Sequence, residues 1–180
     1  SVTTKSWSTG EDLYGGSWKS DSYTVTQKYD YDSTRKWKDA SGVEHTGAYT
    51  FKFIISAKNK DGSPLEKTID PFATYGMSFA QAKEQSFEYY TTGSGEDIFG
   101  NSSNTSTLTK MTVFHGKMVT LKTESATTST DVLGNSTISH SVTEYEYNEL
   151  KDKEGKVKLV FSSVTTKSWS TGEDLYGGSW

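Results

Sequence analysis

Apolar and polar positions alternate along much of this chain. In 22–32 (Ser-Tyr-Thr-Val-Thr-Gln-Lys-Tyr-Asp-Tyr-Asp), Tyr29 and Tyr31 fall on one face and Asp30 on the other, the period of two that belongs to a strand. The stretch 47–58 puts Tyr49, Phe51, Phe53 and Ile55 on one face, and 2–8 alternates more loosely. Two further strands, 105–114 and 118–125, are expected to meet near His115-Gly116. Turn chemistry separates these runs at 9–16, 37–43, 59–64 and 150–156, with Asp61-Gly62 a strong turn dipeptide. The section 69–90 breaks the pattern. Ser78-Phe-Ala-Gln81 reads as a capping box, serine at the N-cap and glutamine three residues on, and predicts a short helix near 78–88.

The pattern also returns on itself at long range. Residues 1–18 (Ser-Val-Thr-Thr-Lys-Ser-Trp-Ser-Thr-Gly-Glu-Asp-Leu-Tyr-Gly-Gly-Ser-Trp) recur letter for letter at 163–180, a period of 163 minus 1, or 162 residues. Eighteen identical residues are not what two unrelated needs of a fold produce, so 1–162 is read as one full repeat and 163–180 as the start of the next, cut from a longer array. Within the period, Glu11-Asp-Leu-Tyr-Gly-Gly16 is restated as Glu96-Asp-Ile-Phe-Gly-Asn101 and Thr130-Asp-Val-Leu-Gly-Asn135. The repeat-turn residues are Asp12, Gly15 and Gly16; Asp97, Gly100 and Asn101; Asp131, Gly134 and Asn135; and Asp174, Gly177 and Gly178. The aspartates are spaced 85, 34 and 43 residues apart. If Asp61-Gly62-Ser63 is a degenerate member, four sub-units of about 40 residues follow, near 12–60, 61–96, 97–130 and 131–173, within the range of solenoids and arrays.

Composition strengthens the β reading. Only 32% of residues are hydrophobic, yet aromatics reach 13%. Thr, Val, Tyr, Phe and Trp suit a pleated, half-buried surface, and a disordered chain is poor in aromatics. Net charge is −4 and the charges are interspersed, so no basic stripe invites nucleic acid. There is no cysteine, hence neither disulfide nor thiolate chemistry. No apolar run approaches the roughly 18 residues of a membrane span.

Candidate chemistry is sparse. The turn carboxylates Glu11, Asp12, Glu96, Asp97 and Asp131 are candidate Ca²⁺ ligands, since calcium takes six to eight oxygens. Their spacing matches no EF-hand, and Asp and Gly make good turns without a metal. The rings of Tyr29, Tyr31, Tyr145, Tyr147, Trp7, Trp18 and Trp37 are expected to form a ladder that fills a sheet of small residues; the competing reading is a glycan platform. His45, His115 and His140 share no metal spacing, and no Gly-x-Ser-x-Gly elbow occurs. An enzyme is therefore not expected, nor is a cofactor apart from the calcium alternative. Sequons stand at Asn101, Asn104 and Asn135, in or beside turns where a glycan would be exposed.

The run 131–137 followed by Tyr145-Glu-Tyr-Asn148 resembles the YD repeats of bacterial Rhs-type shell proteins, whose units carry Tyr-Asp-x-x-Gly-Asn/Arg-x-Thr. Here the aspartates follow Glu, Glu and Thr rather than Tyr, and the long perfect duplication is unusual for such arrays. In its Thr/Ser/Gly-rich, acidic, cysteine-free composition the chain is similar to tandem-repeat adhesins and fibre proteins of microbial surfaces. The expectation is an elongated all-β protein, a β-solenoid or stacked β-hairpin array. Its expected role is structural, as a segment of an extracellular fibre, stalk or sheath at the cell surface, with copies of itself or adjacent repeats as head-to-tail partners. The alternative is an adhesin module that binds a glycan or a surface and is stabilised by calcium.

Overall fold

A computed structural model describes residues 2–21, 23–38, 42–70, 76–151, 153 and 157–180. Among the described residues the chain is all-β apart from one short helix. Its strands are β1 (Val2–Ser6), β2 (Thr9–Glu11), β3 (Ser17–Ser20), β4 (Tyr23–Lys38), β5 (Glu44–Lys58) and β6 (Pro64–Ile69). After the helix α1 (Phe79–Glu84) come β7 (Phe87–Glu96), β8 (Ser102–Phe114), β9 (Lys117–Thr130), β10 (Ser136–Lys151) and β11 (Val157–Glu173). All belong to one antiparallel sheet, and the path β1-β4-β5-β7-β8-β9-β10-β11 leaves it open.

The sheet is a meander of long hairpins. β1 and β2 pair with β4 and β3 respectively, and the Ser20 N–H donates to the Ser8 carbonyl between the two ladders, so they form one hairpin with a slip in register. β5 lines β4, while β7 lines β3. β5 and β7 therefore occupy successive stretches of the same edge, and 59–86, containing β6 and α1, is inserted between them. The lanes are then β1–β2, β3–β4, β5 with β7, β8, β9 and β10, after which β11 carries the letters of β1 and β2 at 164–173.

The insertion supplies the thickness. Ser78 caps α1 through its hydroxyl, and the Gln81 side chain answers to the Ser78 N–H, the reciprocal arrangement that offsets the orphan donors of a helix start. The Glu149 carboxylate accepts from the Phe79 N–H. Phe79 and Ala82 pack with Phe114 and Val119, flanked by Leu121, Tyr147 and Leu159. A second cluster, Ile55, Phe87 and Tyr89, gathers Leu65 and Ile69 of β6 with Met111 and Met118. The buried Thr112 hydroxyl donates to the Ala82 carbonyl and fixes the helix end to the sheet. A helix forms within the expected 78–88 but ends at Glu84, and β7 starts at Phe87. The first residues of the expected turns at 37–43 and 150–156 are strand, since β4 runs through Lys38 and β10 through Lys151, and 39–41, 152 and 154–156 lie outside the described residues.

Candidate functional site

The repeat-turn residues form one structure built four times. In each turn the aspartate N–H donates to the carbonyl four residues on, at 2.8 to 3.0 Å, and the glycine three residues on donates back to the aspartate carbonyl. The aspartate Oδ1 accepts two backbone N–H groups: Tyr14 and Gly16 on Asp12, Phe99 and Asn101 on Asp97, Leu133 and Asn135 on Asp131, Tyr176 and Gly178 on Asp174. Gly15, Gly100, Gly134 and Gly177 all have φ between 80° and 93°, the left-handed region where a Cβ is penalised. The 59–63 turn shares this backbone pattern, but its first position is held by Asn59, with the Ser63 N–H donating to Asp61. It joins β5 to β6.

The four aspartate turns stack. A Cβ on Gly15 would sit 3.4 Å from Ile98 Cγ2, one on Gly100 3.4 Å from Val132 Cγ1, and one on Gly134 3.3 Å from Leu175 Cδ1. Each of these three glycines thus receives the apolar second residue of the next turn. Asparagine links the steps: Asn101 donates to Asp97 Oδ2 at 2.6 Å and accepts from the Val132 N–H at 3.1 Å. Asn135 does the same between Asp131 and the Leu175 N–H. At the first step Gly16 replaces asparagine, and the Asp97 backbone comes within 3.3 Å of where its Cβ would be.

Chemically the carboxylates are occupied as turn acceptors. The hydrogen bond from Asn101 is the main cause that holds Asp97 below the usual carboxylate range, and Asn135 does this for Asp131. Among the described residues no three or more His, Cys, Asp or Glu side chains gather as a metal group; Glu11 and Glu96 stand in β2 and β7, at their ends. Among the described residues, too, no helix is long and apolar enough to cross a membrane.

The aromatic residues divide. Tyr29 and Tyr31 lie opposite Phe51 and Tyr49, with ring centroids 5.8 and 5.2 Å apart, and Phe51 meets Phe53 edge-on; this is a cross-strand ladder. Tyr147 joins the helix core instead: it packs on Phe79 and Phe161 and donates to the Thr120 carbonyl, and burial raises its phenol pKa. Tyr145 stands opposite Val164, and Trp37 opposite His45 in the strand register. The Trp18 ring lies over Gly10, and a Cβ there would collide with it at 2.0 Å. Trp180 covers Gly172 at the same 2.0 Å. Trp18 also lines an open groove of about 810 Å³ with Glu11, Lys19, Ser94 and Asn104.

Sequence reasoning missed the asparagine links, the Trp-over-Gly pairs and the Asp21 carboxylate that ties Lys58 to Thr92. A signal for the second was present: Gly10 and Trp18 flank the turn symmetrically in both copies. Compared with protein-family models, curated proteins and solved structures, the chain matches none.

Proposed function

We propose that this chain is a structural repeat segment of an extended extracellular fibre, stalk or sheath at the cell surface, which grows by β-strand pairing between repeats. The observation that carries this reading is the turn ridge: a perfect repeat of the first turn stacks on the third by the contacts that join the others. A protein whose units meet only their neighbours gains stability additively along one axis, which suits a fibre. Open edge strands at β1 and β11 supply templates for further pairing. Electron cryomicroscopy of the native assembly tests it: long filaments or sheets are expected, and a homogeneous population of discrete compact particles would sink the proposal.

The groove beside Trp18 favours a second reading, a glycan- or surface-binding adhesin module, because an exposed indole face is a sugar-stacking surface. Glycan-array binding that Trp18→Ala abolishes without lowering Tm would support it.

A further inference from the structure

The two copies of the 18-residue segment have complementary surroundings. In the first, β1 uses one edge, against β4, from Val2 opposite Gln27 to Ser6 opposite Tyr23. In the second, 163–173 uses the other edge, against β10. Glu173 carries both neighbours at once, Ser136 on one side and Ser179 on the other, so the edges are opposite. The rest of β11's outer edge carries no strand among the described residues.

Side chains repeat the contrast. Trp169 stacks on His140 of β10, with centroids 5.1 Å apart and planes 13° off parallel; its counterpart Trp7 has the Lys5 ammonium near its ring instead. Leu175 rests against Gly134, whereas Leu13, the same residue one period earlier, is 98% exposed. Ile98 covers the face of Gly15 that a Cβ would occupy, whereas a Cβ on Gly177 would meet nothing within 4 Å. Each copy lacks what the other has.

We propose that 163–180 is a joint strand shared by two copies of the 162-residue unit, with β10 of one copy on its inner edge and β4 of a second copy on its outer edge. The strand is the last of one unit and the first of the next. This rests on the fibre reading above and deepens it by naming the interface. Shifting the β1 register by 162 residues sets Val164 opposite Gln27 of the second copy, Thr165 opposite Thr26, Thr166 opposite Val25, Lys167 opposite Thr24 and Ser168 opposite Tyr23. The hydroxyl pair Thr3–Thr26, 3.0 Å apart, recurs as Thr165–Thr26, and Ile98 of the second copy seats over Gly177. A slip of one residue would turn every side chain to the wrong face, so the register is specified.

The test compares amide hydrogen exchange at 164–168 in this chain and in a two-unit chain, residues 1–162 followed directly by 1–180. Exchange is expected to slow at least about tenfold in the two-unit chain, because amides free at an edge become ladder donors. Thr26→Pro in the second unit alone should restore fast exchange, since proline cannot sit in a paired central strand. Thr26→Ala there should restore it only in part, and protection of 138–146 should stay unchanged in both as the control for folding. Equal exchange at 164–168 in the two chains, or protection indifferent to Thr26→Pro, would overturn the proposal. Protection in a two-unit chain that scatters as a compact ball would keep the shared strand and remove the fibre; an elongated pair with unprotected 164–168 would do the reverse.

Discussion

Asp97 and Asp131 each accept backbone and asparagine donors in exposed turns, and those bonds favour the charged form. Their folded pKa lies below the unfolded value of about 3.9, so the stabilisation is complete above that pH and is lost as pH falls through the folded value. Tm is expected to fall as pH drops below about 4, and the Asp97→Asn/Asp131→Asn double variant should show a shallower fall there by calorimetry. The glycine positions respond to backbone geometry instead. Gly134→Ala forces an L residue to φ 89° with Leu175 at 3.3 Å, and should cost about 1–2 kcal/mol in urea unfolding. Asn135→Gly keeps the fold but removes the acceptor for the Leu175 N–H; a loss of about 1 kcal/mol is expected, read as a Tm decrease of roughly 2–4 °C. The aspartate and glycine of each turn were readable from the letters, because turn chemistry is local. The asparagine link was not, since its acceptor serves an N–H 31 or 40 residues further along.

At the scale of elements, the period-two runs announced β4, β5, β8 and β9, and the capping box announced α1. Strand ends were misplaced where polar residues continue a ladder: nothing in Trp37-Lys38 or Leu150-Lys151 marks them as paired, and only the partner strands settle it. Tyr147 shows the same limit. In sequence it is the twin of Tyr31, but a helix 63 residues earlier covers the one while Tyr49 stacks beside the other. α1 has six residues, too few to stand on propensity alone, so packing must hold it. Phe79→Ala should therefore cost about 3–5 kcal/mol and Ser78→Ala only about 1 kcal/mol, both measurable by chemical denaturation. Equal losses would mean the cap, not the core, keeps the helix in place.

For the whole molecule, the perfect duplication was legible as repetition, while its spatial meaning required strand order. Hairpin after hairpin returns the chain to the same ridge of turns, and the segment that opens the sheet reappears at its far edge. Six lane-to-lane steps lead from β1 to β11, and neighbouring strands lie about 4.8 Å apart, so each added unit should advance the sheet by about 29 Å, less what twist takes away. Small-angle X-ray scattering of chains of one, two and four units measures this directly. The expected result is a constant cross-sectional radius with a longest dimension that grows by close to 29 Å per unit once stacking exceeds strand length. A longest dimension that grows only as the cube root of mass, with a cross-section that swells, would contradict it.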